Sequence, residues 1–322
     1  QSTLSARALV NASGPWVSDV LHRVAGKNVP ARVRLVKGSH IVVDKLFDHG
    51  RSYIFQNSDD RICFAIPYEE DFTLIGTTDE DYTGDPAAAS ISDKEIDYLL
   101  GAVNEYFHIP VGRNAVRWTF SGVRPLYDDG SSKAQEATRD YELRLEEEMN
   151  RAPLLSIFGG KITTYRRLAE NALEKLSRIF PHMGQSWTNS IPLPGGDFAP
   201  EQFEAEIMRI RRTVADLPQK HAERLFKNYG MRAMKFLEGA GRLKDLGEDF
   251  GAGLSQREVD YLITEEWARS AEDIIWRRTK LGLKLNAEQR RKLSSYVVSW
   301  TAGTWDGYEA STRAGSAGGV RS

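Results

Sequence analysis

Cysteine is nearly absent. Cys63 is the single one in 322 residues, which excludes an internal disulfide framework and a cysteine-rich metal site, and favours a reducing compartment. Histidine is also sparse: the six are scattered, so a histidine metal cluster would depend on tertiary coincidence. No apolar run approaches the roughly 20 residues that cross a bilayer. The first thirty residues lack a charged segment followed by an apolar one; attachment to a membrane surface is left open. With 43 basic against 45 acidic residues the net charge is -2, so there is no global field for nucleic acid and any anion site must be local. No G-x-G-x-x-G occurs, and "GGKIT" fails as a phosphate-binding P-loop in both its glycine spacing and its Ser/Thr position. "DEDYTGD" at 79–85 starts like a calcium loop, with Gly84 at the right offset. Ser90 stands where the glutamate is required, and no helix enters the segment, so it reads as a solvated turn.

What is present is ordinary in bulk, 41% hydrophobic and 27% charged, and long enough for two domains. Ala8–Val10 reads as a buried strand, 11–15 as a small-residue turn and 16–24 as a helix, a strand-turn-helix opening suited to an α/β domain. From about 33 to 78 the period becomes that of strands at hairpin spacing, which predicts an antiparallel sheet. A helix follows at Ser92, with a capping box to Glu95 and an apolar face of Ile96, Leu99, Leu100 and Val103. Further strands are predicted at 115–126, 139–147 and 152–160, then a helix at 163–180. "SIPLPGGDFAP" reads as a linker, followed by helices to about 303; Ser255 with Glu258 forms a second capping box, and Asn286 opens the last strong helix. The tail from 310 has no apolar period and is expected to be disordered.

"SIFGGKITTYRRLAENALEKL" (156–176) carries the most chemistry. Gly159 and Gly160 remove Cβ atoms where a strand bends into a helix, Thr163 or Thr164 can cap that helix, and the turn aims bare N–H groups, a positive helix end and Lys161 at an anionic or electron-rich guest. A plain glycine-rich connection with a solvated lysine would have the same sequence. Other polar residues at strand ends are Lys37, Ser39, His40, Arg124 and Arg139. Each alone has a bland explanation: a solvated edge lysine, a hydrogen-bonded core histidine, surface arginines. Converging on one face, three cations and a histidine would form a pocket for a small phosphorylated anion, because arginine binds phosphate bidentately and lysine as a point charge.

"RLVKGSHIVV", "FAIPYEEDFTLIGTTDEDYTGDP", "WTFSGVRPL", "TRDYEL", "LLSIFGGKITTYRRLAENALEKL", "LPGG", "DLGEDFG" and "WRRTKLGLKLN" together closely resemble the quinone-linked, FAD-dependent glycerol-3-phosphate dehydrogenases of bacteria, over nearly all of residues 8 to 300. The resemblance implies a fold of α/β plus α class: a partial Rossmann-like FAD-binding domain (1–32 and 151–190), an inserted antiparallel substrate-binding sheet (33–150) and a C-terminal helical domain (191–309). It implies FAD as cofactor, held by Gly14, Pro15, Trp16, Gly159, Gly160, Lys161, Ile162 and Thr163. It further implies loss of the C2 hydride of sn-glycerol 3-phosphate to the flavin, with electrons passed to a quinone. Arg124, Arg139 and Lys161 then bind the substrate phosphate and the developing oxygen charge. His40 is the candidate base, since an imidazole titrates near neutral pH. A related flavin oxidoreductase acting on an amine or hydroxy acid is the alternative, as is a non-catalytic interaction module. Nucleic acid is not an expected partner, and a homodimer is left open.

The family's N-terminal glycine fingerprint and an N-terminal substrate arginine are not in this sequence. Gln1 therefore reads as a fragment boundary, and weak FAD binding and inactivity are expected of the chain alone. The family's peripheral membrane habit also implies attachment to the inner, cytoplasmic face of the cell membrane. The candidate contact is the helix after Thr163, where Tyr165, Leu168, Ala169, Ala172, Leu176 and Ile179 form an apolar stripe flanked by Arg166, Arg167, Lys175 and Arg178.

Overall fold

The computed structural model describes residues 5–23, 26, 33–128 and 140–315. Arg139 and the tail from 316 lie outside the described residues. The chain divides into two units, Gln1–Asn189 and Ser190–Ser322.

In the first unit the order is β1 (Leu9–Asn11), α1 (Val17–Arg23), β2 (Val33–Asp44), β3 (Tyr53–Gln56), β4 (Ile62–Tyr68), β5 (Phe72–Gly76), β6 (Glu80–Asp81), α2 (Asp93–Asn104), β7 (Val116–Tyr127), β8 (Tyr141–Glu146), β9 (Leu154–Gly159) and α3 (Tyr165–Leu176). Six strands form the larger sheet. β7 runs antiparallel along one edge of β2 over nearly its whole length, while β5 and then β6 occupy the other, and β4 and β3 extend the sheet beyond β5. The sheet is antiparallel throughout, as hairpin spacing predicts. α2 covers one face: Leu99, Leu100 and Val103 bury against Ile41, Val43 and Ile75. Ser92 begins this helix with the full capping box to Glu95.

The smaller sheet has the order β1-β9-β8, with β1 parallel and β8 antiparallel to β9. β8 thus differs from the expected domain plan, which placed it in the antiparallel insertion at 33–150. Its alternation explains the difference: Leu143 faces Leu155, Ala172 and Leu176, so burial against β9 and α3 fixes its sheet.

α3 is preceded by a 3-10 turn at Ile162–Thr164. The Thr164 hydroxyl does not cap α3; it donates to the Lys161 carbonyl at 3.1 Å and so closes the turn. Part of the apolar stripe of α3 is spent on the sheet: Ala172 and Leu176 are buried and Ile179 packs beside them, while Tyr165 and Ala169 stay exposed. Three of its four flanking cations are paired too, Arg166 and Arg167 with Glu170 and Arg178 with Glu147. The C-terminal part of the face expected to meet anionic lipid therefore holds the helix to its own domain. No helix among the described residues is long and apolar enough to cross a membrane.

The second unit contains α4 (Phe203–Thr213), α5 (Gln219–Tyr229), α6 (Met234–Leu237), α7 (Gln256–Thr264) and α8 (Ala287–Gly315) around a core that includes Phe226, Leu237, Phe250, Leu262 and Ile274. Ser255 caps α7, and Asn286 opens α8 by accepting from the Gln289 N–H at 2.9 Å. α8 reaches Gly315, past both the expected end near 303 and the expected start of the disordered tail at 310; apart from glycines at 303 and 307, residues 301–314 contain no helix breaker. Inside this unit Arg224 pairs bidentately with the fully buried Glu258, at 2.7 Å to each oxygen.

Candidate functional site

The site is built on the alternation of β2. Val36 lies opposite Arg124, Gly38 opposite Gly122, and His40 opposite both Phe120 and Gly76. Residues directly opposite share a face, so His40, Phe120 and Arg124 stand together above a floor of three glycines. The glycines make the room. A Cβ on Gly38 would come 2.5 Å from the Arg124 guanidinium, and one on Gly76 would overlap the His40 ring.

Arg124 is oriented as well as accommodated. Its Nη1 donates to Asp79 Oδ1 at 2.6 Å and its Nη2 to Thr77 Oγ1 at 3.1 Å. Its side chain keeps about a third of its surface exposed, 32%, so the guanidinium can still meet a ligand. His40 stacks on Phe120, with ring centroids 4.8 Å apart and planes 5° from parallel, and its Nδ1 is buried without a hydrogen-bond partner. Burial, and after it the Arg124 charge, pushes the imidazole down to about 4, so it is neutral at physiological pH.

Lys37 does not join this group. It differs from His40 by an odd number of positions and so lies on the opposite face, where it donates to Glu95 at 2.8 Å and lies 3.5 Å from Glu80. Asp79 and Asp81, read from sequence as part of a solvated turn, instead hold Arg124 and Arg34, each at 2.6 Å. Sequence reasoning missed Thr77, Asp79 and the glycine floor. Counting parity from His40 separates Lys37 from the site, and glycines within strand periods were the available signal for the floor.

The second half of the candidate site lies at the ends of β7 and β9. Gly159 and Gly160 have φ of 68° and 103°, where a side chain is strained. A Cβ on Gly159 would approach the Asp140 carbonyl to 2.7 Å and the Tyr127 nitrogen to 3.5 Å. The glycine turn thus adjoins the end of β7 three residues beyond Arg124, with Lys161, Ile162 and Thr163 exposed just after it. The turn at Gly14–Trp16 packs against β7 and β9. Gly14 has φ of 56° and open space where a Cβ would project, and the Trp16 side chain is 41% exposed. Two glycine-bearing turns beside a half-exposed indole leave room for the edge of a flat aromatic cofactor. Arg139 lies outside the described residues. Among those described, no group of three or more metal-ligating side chains occurs.

Residues 1–166 match the family described as "FAD dependent oxidoreductase", and residues 186–306 match the "C-terminal domain of alpha-glycerophosphate oxidase". The chain belongs to the FAD-dependent oxidoreductase family, with an α/β FAD-binding fold followed by a helical domain. Among its relatives, the aerobic glycerol-3-phosphate dehydrogenase of Escherichia coli is 45% identical over 92% of this chain and 59% of its own length. The glycerol-3-phosphate dehydrogenase of Pseudomonas aeruginosa is 47% identical over 92% and 58%, and the D-erythritol 1-phosphate dehydrogenase of Brucella abortus is 46% identical over 89% and 57%. The chain thus spans somewhat under three-fifths of the length of these relatives. A solved glycerol-3-phosphate dehydrogenase from Bacillus halodurans, complexed with FAD, superposes with a TM-score of 0.73 at 27% identity, covering 92% of this chain and 62% of that one.

Proposed function

We propose that the protein oxidises sn-glycerol 3-phosphate to dihydroxyacetone phosphate with FAD as cofactor and a quinone as final acceptor. The observation that carries this reading is the pairing of a neutral, partly buried imidazole with a guanidinium on one sheet face, beside a glycine turn that leaves room for a cofactor. Arg124 supplies charge and directed N–H donors for a phosphate dianion, and Lys161, exposed beyond the same strand ends, adds a second charge. Arg139 completes the proposed anion set. His40 accepts the proton of the C2 hydroxyl, and its low affinity for that proton rises when a dianion offsets the charge of Arg124. Gly159, Gly160 and Gly14, with Pro15, Trp16, Ile162 and Thr163, shape the cofactor side, where the start of α3 and Lys161 favour negative charge. Bound FAD supplies the two-electron acceptor for the C2 hydride.

Peripheral attachment at the inner face of the cell membrane and a homodimer belong to the same reading as proposals, and the buried part of the α3 stripe is not available for either. A relative of nearly equal identity is named for a four-carbon polyol phosphate. His40 and Arg124 address what the two substrates share, a secondary alcohol and a phosphate. The test is anaerobic mixing of FAD-loaded protein with glycerol 3-phosphate, erythritol 1-phosphate, glycine or lactate, followed by flavin absorbance. Bleaching by glycerol 3-phosphate at the lowest concentration is expected. Bleaching by glycine or lactate but by neither phosphate would overturn the proposal.

A further inference from the structure

Behind the sheet from His40 and Arg124 lies a buried carboxylate that the reaction does not use. Glu95, in the first turn of α2, is 1% exposed and receives five hydrogen bonds. Its Oε2 accepts from the Ser92 N–H at 2.7 Å, the Ser92 hydroxyl at 2.9 Å and Lys37 Nζ at 2.8 Å. Its Oε1 accepts from Ser39 Oγ at 2.7 Å and Thr78 Oγ1 at 2.8 Å.

A capping box requires of the carboxylate only the bond from the Ser92 N–H, and that bond falls on Oε2. Oε1 is given wholly to residues that abut the candidate site. Ser39 precedes His40, and Thr78 stands between Thr77 and Asp79, the two partners of Arg124. The Ser39 N–H donates to Thr78 Oγ1 at 2.9 Å, and the Ser39 hydroxyl lies 2.8 Å from that of Ser121, the neighbour of Phe120 on β7. One carboxylate therefore ties together the three segments that present His40, Asp79 and Arg124 on the opposite face.

We propose that Glu95 is a positioning residue, setting the separation of Arg124 and Asp79 from His40 without touching substrate. The inference rests on the assignment of His40 and Arg124 to the site. Burial alone would raise the affinity of this carboxylate for a proton, but the bonds from Lys37, Ser39, the Ser92 N–H and Thr78 outweigh it and hold the group at about 2. The clamp is thus ionised throughout the physiological range.

The test follows the His40 ring by NMR titration in the full chain without substrate, comparing wild type with Glu95→Gln. Two effects have opposite signs. Loss of a negative charge would by itself make His40 harder to protonate. Release of β2 from the 77–79 segment and from β7 would withdraw Arg124 and admit water, making it easier. Positioning therefore predicts a midpoint raised by about one unit, a tenfold change in the protonation equilibrium. Thr78→Val, which keeps shape and removes the link, should move it in the same direction by less. A midpoint that is unchanged or lowered in folded Glu95→Gln overturns the proposal; if that variant does not fold, Thr78→Val decides by the same criterion. The substrate assignment is judged separately, by the bleaching of wild-type protein, so the two failures are distinguishable.

Discussion

Gly38→Ala isolates the role of Arg124 without removing it. Gly38 lies within extended β2, where alanine is conformationally acceptable and loses less entropy than glycine on folding. The added methyl carbon would stand 2.5 Å from Nη1, 2.6 Å from Nη2 and 2.7 Å from Cζ of Arg124. Those atoms end a flexible side chain, so the guanidinium should swing away while the backbone stays. It would leave its bond to Asp79 and any bound phosphate with it. A lost charge-assisted hydrogen bond is worth about 1.5–3 kcal/mol, or roughly a 10- to 150-fold weaker phosphate contact. Titration calorimetry with glycerol 3-phosphate should show that loss, with thermal unfolding close to wild type. Wild-type affinity in Gly38→Ala would refute the placement of Arg124 in the anion site, because no unmoved guanidinium can share the space with that methyl.

Three further outcomes follow from the packing. The folded-state pKa of His40, about 4, lies below the ordinary 6.5, so the unfolded chain binds the extra proton between those values; the stability contribution is complete above 6.5 and lost on acidification toward 4, up to about 3 kcal/mol. Denaturant melts across that range should show the slope in wild type and its loss in His40→Gln; equal slopes would refute the origin in His40. Leu176→Ala should cost the first unit about 2–5 kcal/mol by opening a cavity against Leu143 and Leu155, and an unchanged melting curve would contradict that packing. Arg224→Met should cost the second unit about 3–5 kcal/mol by leaving Glu258 buried and unpaired. Arg224→Met with Glu258→Gln should recover most of it, and calorimetry would reveal an error if the double variant melted no higher than the single.

Local chemistry made much of this legible. The capping box at Ser92, the Ser255 cap and the strand periods of β2 to β5 depend on residues a few positions apart, and they stand where the periodicity puts them; the reciprocal bond expected from Glu258 to Ser255 is not made, because the Glu258 carboxylate is taken by Arg224 and Tyr229. The glycine turn after β9 was legible for the same reason. What stayed hidden was pairing at a distance. Glu95 was visible as a cap, but its bonds to Thr78, Ser39 and Lys37 span 17, 56 and 58 positions. Asp79 was set aside because its neighbours imitate a calcium loop, whereas its partner Arg124 is 45 positions away. The stripe of α3 has the same pattern whether it meets lipid or a sheet, and only the location of β8 and β9 decides.

The two-sided use of β2 limits how this part of the protein can change over time. A strand with one wet face tolerates exchange at every second position, although a slip of one residue would turn its apolar set into the solvent. Between Val36 and Val43 one parity is committed to the carboxylate clamp and the apolar core beneath α2, the other to the arginine, the imidazole and the space they need. Turning this strand over would drive Lys37 into the glycine floor and leave Glu95 facing a hydrogen side chain. Insertions can accumulate in the connections at 45–52 and 57–61, but a single residue added here has no neutral place to go. Drift in this chain is thereby steered into its loops, and the central strand should read almost letter for letter across descendants that have lost most other identity.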